Sequence, residues 1–276
     1  MDNNEKIRQE AKNIREELNN AFKKLLYELG QEQKPEDTAE IKRELDQLNE
    51  LLQRLETGLV WVTLFGKTVV GKSSIVNALI GKDVAETGIG KDNTTEPNYY
   101  EHRLWMIVDT PGIMGKKLNE QVAFDEAKRA HSHIFVLDGE PFEDELELFE
   151  LVNKALPDTP KIVFVNKWDQ IQNMPRKAHE IVRNRIKQKM IKFVKSPEAI
   201  VYGSARLYDP MIDDYVRQEL PQLLDRLYKD TGVLGDAVNI LNAAKCTAAD
   251  LTIIIRKKIY KTRFYKKWAS IINWFL

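Results

Sequence analysis

The chain has 276 residues and a single cysteine, Cys246. One cysteine excludes an internal disulfide framework and any cysteine metal cluster, and it fits a reducing compartment. No apolar run reaches the roughly 18 residues that a membrane-spanning helix needs. The opening MDNNEKIRQE is too charged for a secretion signal. There is no internal repeat and no low-complexity segment. The four histidines, His102, His131, His133 and His179, show no metal-ligand spacing, and His131 and His133 flank a strand start as structural residues would. Net charge is also missing, with 42 basic against 42 acidic side chains, which speaks against a surface built throughout for nucleic acid. A 43% hydrophobic content is enough to bury a sizeable core. These absences give the expectation of a cytoplasmic protein.

The zero balance hides an asymmetry. Residues 1–57 hold 10 basic and 14 acidic side chains, whereas residues 231–276 hold 8 basic and 2 acidic ones. The two ends could pack on each other, or the tail could meet something anionic.

Three regions follow from the patterning. In residues 1–57, Ile7, Ile14, Leu18, Phe22, Leu25 and Leu29 recur on one helical face, and Gly30 is a plausible stop. Pro35, Asp37 and Thr38 start a second helix with Ile41, Leu45, Leu48, Leu52 and Leu55 spaced 4, 3, 4 and 3 apart. This reads as a helical hairpin, either structural or coiled-coil-like and partner-binding. Residues 58–230 alternate β-rich runs with helical stretches, which predicts an α/β domain with a parallel sheet. The runs are Leu59–Phe65, Arg103–Val108, His133–Leu137, Lys161–Val165 and Ile200–Tyr202. The helices are expected near Ser73–Ile80, Glu120–Ala130, Glu143–Ala155, Pro175–Lys195 and Met211–Tyr228. Residues 231–276 read as a basic helical segment that packs with the hairpin into an all-α accessory domain.

Gly66-Lys67-Thr68-Val69-Val70-Gly71-Lys72-Ser73, with Ser74 behind it, fits the G-x-x-x-x-G-K-[ST] phosphate loop. It follows a β-rich run and opens a helix, where backbone N–H groups and the helix N-terminus can meet a β-phosphate. Lys72 would reach the β/γ oxygens, and the Ser73 hydroxyl would ligate Mg²⁺. Asp109-Thr-Pro-Gly112 follows another β-rich run. Asp109 could hold magnesium through water, and the Gly112 N–H could bond a γ-phosphate oxygen. Asn93-Thr-Thr-Glu-Pro97 lies between the two. Thr95, or else Thr94, would complete the metal shell and sense the γ-phosphate.

Asn166-Lys-Trp-Asp169 follows the wholly apolar run Ile162–Val165. Asp169 can accept two hydrogen bonds from guanine, a pair that adenine does not offer. Charge-assisted bonds are worth roughly 1.5–3 kcal/mol each, so losing both costs about 10²–10⁴ in affinity. Lys167 can lie along the base, and Asn166 can tie its loop to the phosphate loop. Gly203-Ser204-Ala205-Arg206 supplies N–H groups for the guanine carbonyl.

These motifs, in this order, resemble the G domain of translation-factor-class small GTPases. The likeness is greatest to the Era-like branch, through Gly71-Lys-Ser-Ser-Ile-Val-Asn-Ala-Leu-Ile-Gly81 and Asp109-Thr-Pro-Gly-Ile113. The resemblance covers about residues 58–230. It implies a mostly parallel six-stranded sheet, GTP or GDP with Mg²⁺, and two loops that order on GTP. It puts Lys72 and Ser73 on phosphate and metal, Thr95 and Asp109 on the metal, and Asn166, Lys167, Asp169, Ser204 and Ala205 on guanine.

Three departures stand out. Ile113 occupies the place of the water-orienting glutamine of Ras-like relatives and cannot orient water. Val69 occupies the place of the potassium-binding asparagine of Era-like and tRNA-modifying relatives. Dynamins carry Gln-Ser where this chain has Thr68-Val69. Slow intrinsic hydrolysis is therefore expected, with a group from a partner or a second copy completing the site; Arg103, Lys67 and Lys91 are candidates.

The flanking helices resemble those of dynamin-like and immunity-related GTPases, which implies nucleotide-dependent homodimerisation as an alternative role at membranes. Arg256–Lys267 holds seven basic residues and no acid, interleaved with Tyr260, Phe264 and Tyr265. The 256–276 segment suits packing on the hairpin, an anionic membrane surface at the inner face of a membrane, or nucleic acid. Arg176–Lys195, with eight basic residues and one acid, reads as a solvated helix face or as a contact for RNA or the ribosome.

Overall fold

The computed structural model describes residues 35–57, 59–87, 96–103, 105–112 and 117–231, together with isolated helical positions at 9, 12, 13, 16, 20 and 253. Most of the first helix expected over 3–29, nearly all of 231–276, and residues Lys91, Thr94, Thr95 and Ile113 lie outside the described residues.

The first described elements are α1 (Pro35–Glu56), β1 (Val60–Phe65) and α2 (Lys72–Ile80). A hairpin of β2 (Asn98–His102) and β3 (Trp105–Asp109) follows. Then come α3 (Lys117–Lys128), β4 (Ser132–Leu137), α4 (Glu143–Ala155) and β5 (Lys161–Val165). The short α5 (Trp168–Gln172) and the long α6 (Arg176–Met190) lead to β6 (Ile200–Tyr202). The chain continues through β7 (Arg206–Asp209), β8 (Asp214–Arg217) and α7 (Pro221–Thr231).

Six strands form one sheet in the order β2-β3-β1-β4-β5-β6, and every pairing is parallel except β2 with β3. The fold is an α/β sheet covered on both faces. β4 and β5 are buried along their whole length, as strands covered on both faces should be. On one face, Phe65, Phe135 and Val163 pack with Ala123 and Ala127 of α3, Phe149 of α4 and Ile186 of α6. On the other, Val62, Trp105 and Phe164 pack with Ile75 and Leu79 of α2 and Leu223 and Leu227 of α7.

Helix α1 joins the first face. Its stripe of Ile41, Leu45, Leu48 and Leu51 is buried in the same cluster as Phe65 and Ala127, each side chain worth about 1.5–3 kcal/mol. The charges beside the stripe are matched. Lys128 Nζ donates to both Glu44 carboxylate oxygens at 2.8 Å, and Arg54 Nη1 donates to Glu126 Oε2 at 3.1 Å. Removing Lys128 or Arg54 takes a cation from a buried carboxylate and is destabilising, less so at Glu126, which Arg129 also holds.

Two local expectations are corrected. The helix expected over Met211–Tyr228 starts only at Pro221, and residues 206–217 form the β7–β8 hairpin instead. Pro210 has no N–H to continue a helix, Asp209 Oδ1 accepts the Met211 N–H, and Asp213 turns back at φ 52°. The β-rich run expected from Arg103 starts at Trp105. Arg103 is in the left-handed region, at φ 57°, in the turn after a strand that the sequence reading missed. That strand, Asn-Tyr-Tyr-Glu-His, is an exposed edge strand with few apolar residues to announce it.

The basic stretch over 176–195 is partly neutralised by the domain itself. Glu140 receives Lys189 at 2.9 Å and Arg185 at 3.7 Å, Glu180 receives Arg176, and Glu150 receives Lys192. Among the described residues, no helix is long and apolar enough to cross a membrane.

His131 and His133 are fully buried. His131 Nδ1 accepts the Trp61 N–H at 3.2 Å, and His133 Nε2 donates to the Ala127 carbonyl at 3.0 Å. Burial first, then the nearby charges of Arg54 and Lys161 respectively, push each imidazole down to about 3 from 6.5. Unfolding lets both bind protons, so their contribution is complete above pH 6.5 and is lost as pH falls from 6.5 towards 3. The slope is about 1.4 kcal/mol per pH unit for each histidine. Thermal unfolding should therefore move to lower temperature between pH 7 and pH 5.5. His133→Gln, which keeps a polar side chain without titrating, should flatten that dependence; an unchanged slope would contradict it.

Candidate nucleotide site

The parallel strands point their C-terminal ends at one edge of the sheet. There Asp109 ends β3, and Gly66, Asp138, Asn166 and Gly203 follow β1, β4, β5 and β6. This is the edge where open α/β sheets bind ligands.

The loop from Gly66 to Gly71 turns beneath that edge. A Cβ on Gly66 would lie 2.4 Å from the Val136 carbonyl oxygen, so only glycine lets the loop lean on β4. Gly71 sits at φ 92°, and a Cβ there would lie 2.4 Å from Asn166 Nδ2. Val69, at the tip, is held at φ 63° with its side chain 57% exposed. A β-branched residue in the left-handed region is strained, and such strain gathers at functional loops. Lys72 opens α2 and folds back inside the loop, its Nζ donating to the Gly66 carbonyl at 3.1 Å and the Lys67 carbonyl at 3.0 Å.

Beside it, Ser73 Oγ donates to Asp109 Oδ2 at 2.6 Å. Asp109 is 1% exposed, and its Oδ1 is buried with no hydrogen-bond partner. Burial raises the Asp109 carboxyl above its ordinary value, and the Lys72 charge and the Ser73 hydroxyl oppose that rise. An orphaned buried carboxylate oxygen next to a hydroxyl is the hard oxygen donor set that fits Mg²⁺. Thr110 Oγ1 pins the next residue by donating to the Leu64 carbonyl at 2.7 Å. Gly112 then passes so close to the phosphate loop that a Cβ would lie 2.4 Å from Thr68 Oγ1.

The loops after β5 and β6 close the other side. Asn166 Nδ2 donates to the Val70 carbonyl at 2.8 Å, and Asn166 Oδ1 accepts the Ala205 N–H at 2.9 Å. One side chain thus ties the phosphate loop to both loops expected at the base. Lys167, at φ 53°, stretches across to donate to the Val69 carbonyl at 2.7 Å. The Asp169 N–H donates to Ser204 Oγ at 3.0 Å, and the Ser204 hydroxyl donates to Asp169 Oδ1. Trp168 is buried between Tyr202 and His179, with ring centroids 4.5 and 5.2 Å away, and anchors this loop.

The structure therefore gathers Gly66–Ser74, Asp109, Gly112, Asn166, Lys167, Asp169, Ser204 and Ala205 at one edge; Thr95 lies outside the described residues. Two contributors escaped the sequence reading. Asp138 receives Lys67 at 3.4 Å and Lys167 at 3.2 Å, so one carboxylate holds a lysine from each side of the site. Its signal was an acid directly after a β-rich run. Asn77 of α2 accepts the N–H groups of Val84 and Ala85 and donates to the Ala85 carbonyl, fixing the chain that leads into 88–95.

Of the candidate activating groups, Arg103 lies at the opposite end of β3, bonded to the Tyr228 hydroxyl at 2.6 Å. Lys67 is engaged by Asp138 and lies over the Phe142 ring at 4.1 Å.

A family described as 50S ribosome-binding GTPase matches residues 61–167. GTPase Der of Ureaplasma parvum is 33% identical over 156 residues, covering 51% of this chain and 34% of its own length. The tRNA modification GTPase MnmE of Petrotoga mobilis is 31% identical over 141 residues, covering 45% and 31%. The crystal structure of Aquifex aeolicus Era bound to GDP and aluminium fluoride is 24% identical, covering 64% of this chain and 57% of that one, with a TM-score of 0.46. The chain spans about a third of the length of the curated relatives it matches. The matched stretch contains the phosphate loop, Asp109 and Asn166. Over residues 61–167 this chain is similar to P-loop GTPase domains, among them those of GTPase Der and MnmE.

Proposed function

We propose that this chain binds guanine nucleotide at the strand-end edge and hydrolyses GTP to GDP and phosphate with Mg²⁺, acting as a nucleotide-dependent switch. The observation that carries the reading is the Asn166 side chain, which joins the phosphate loop to the Ala205 loop. A phosphate grip and a base reader are thereby one rigid site. Asp169, already oriented by Ser204, reads guanine N1–H and the exocyclic amine. Lys167 lies along the base, and the Ser204–Ala205 backbone meets its carbonyl.

On the phosphate side, Lys72 exchanges two carbonyl partners for phosphate oxygens, and the backbone N–H groups of the 66–74 loop surround the β-phosphate. Ser73 and Asp109 would hold the metal, with Thr95 completing its shell. When bound, it neutralises charge on the transferring group. Lys72 and the Gly112 N–H stabilise the same charge as water attacks, so the catalysis is positioning and electrostatics.

Neither Ile113 nor Val69 offers a group to the attacking water or to an activating cation. The reading therefore includes a slow intrinsic rate, raised when a second copy or another partner completes the site. The membrane reading attaches to residues 256–276 and the self-assembly reading to 1–57 with 231–276, and nothing among the described residues of these segments favours either. GTP turnover per molecule, measured across protein concentrations, tests the reading. A slow rate that rises with concentration supports completion by a second copy, and a flat slow rate supports another partner. Absence of any GTP-dependent phosphate release contradicts the reading.

A further inference from the structure

Two segments of the site would sense the γ-phosphate, the 93–97 stretch and the Asp109–Gly112 turn. β2 leaves the first and α3 follows the second, and both meet one residue of α1. Arg54 lies in the last turn of that helix and is 5% exposed. Its Nη1 and Nη2 donate to the two oxygens of Glu126 in α3, at 3.1 and 3.4 Å, and Nη2 also donates to Glu50 at 2.9 Å. The Tyr99 hydroxyl of β2 donates to Glu126 Oε1 at 3.2 Å. The Arg54 guanidinium lies 4.1 Å from the Trp61 ring centroid and 5.8 Å from that of Tyr99. Arg129 Nη1 completes the cluster, donating to Glu126 Oε1 at 3.0 Å.

Glu126 thus gathers donors from α1, β2 and the end of α3 in a buried place. A shift of β2 against α3 cannot be absorbed smoothly there, because it must break a bond to a buried charge. Such a cluster has a made and an unmade arrangement rather than a continuum.

We propose that Arg54 is a positioning residue that couples the docking of helix α1 to the state of both γ-phosphate-sensing segments, so that α1 is held more firmly with GTP than with GDP. The coupling rests on the proposed function and adds to it a site distant from the nucleotide. Linkage makes it reciprocal: a partner that pulls α1 from the sheet weakens GTP binding by the same factor by which GTP secures α1.

The test is amide hydrogen exchange over residues 41–56 in the full chain, saturated with GDP or with a non-hydrolysable GTP analogue. Exchange should be at least about 5-fold slower with the analogue, the lower end of typical couplings. In Arg54→Met the ratio should fall to within about 2-fold while GDP affinity is retained, because Arg129 still partners Glu126. Arg54→Lys, which keeps the charge and loses the fork, should give an intermediate ratio. Tyr99→Phe removes only the hydroxyl and should also lower the ratio, which keeps the test open if Arg54→Met does not fold. Equal exchange with both nucleotides in the unmodified chain, or an unaltered ratio in the variants, overturns the coupling alone. A chain that binds no guanine nucleotide overturns the proposed function and the coupling together.

Discussion

Lys72→Ala is expected to weaken GDP and GTP binding by about 10²–10⁴, the loss of two charge-assisted hydrogen bonds worth roughly 1.5–3 kcal/mol each. The geometry explains why no neighbour can substitute. Lys72 Nζ is already at the centre of the loop, held by the Gly66 and Lys67 carbonyls. Lys67 points away to Asp138 and the Phe142 ring. Lys167 is engaged by the Val69 carbonyl and Asp138. The variant should remain folded, because the hydrophobic contacts of α2 with the sheet do not involve the ammonium. It should also deepen the rise of the Asp109 carboxyl, since the Lys72 charge is what chiefly opposes burial there. Fluorescent-nucleotide titration checks the affinity and circular dichroism checks the fold. Near-normal binding would mean that the loop is misread.

Asp169→Asn should reverse base preference. In the proposed site the carboxylate would accept from both guanine donors; a carboxamide presents one donor and one acceptor, which suits the extra carbonyl of xanthine. GTP affinity should fall by about 10²–10⁴, with XTP becoming the better ligand. The substitution is a mild one structurally. Ser204 donates to Oδ1 and accepts from the residue 169 backbone, and a carboxamide oxygen can keep the first bond while the second is main chain. A titration series with GTP, XTP and ATP reads the outcome. Unchanged preference would remove Asp169 from the base site.

Much of this was legible because the informative residues are those whose chemistry and backbone geometry coincide. Gly66 and Gly71 must be glycine, since an added Cβ would strike the Val136 carbonyl or Asn166. Ile162–Val165 of β5 is a continuous apolar run because both faces of the strand are covered. Asn166 was expected to tie the loops, and its amide does so through Val70 and Ala205. What was not legible depends on partners far apart in sequence. The stripe of α1 announces a helix, but its spacing does not say that the cover is Phe65 and Ala127 rather than another helix. Glu44 and Lys128 are 84 positions apart, and only the fold pairs them. Asp138 looks like an ordinary turn acid until Lys67 and Lys167 converge on it. The β7–β8 hairpin was hidden because its exposed Met211, Ile212 and Val216 read like the start of the α7 stripe. Pro210 and Pro221 were the punctuation that separates the two.

The most direct test of the central claim is the equilibrium affinity of the purified chain for GDP against ADP, measured by calorimetry in the presence of Mg²⁺. A site read by Asp169 and gripped by Lys72 predicts GDP binding stronger by at least about 10². Equal affinities, or a preference for ADP, would contradict the account.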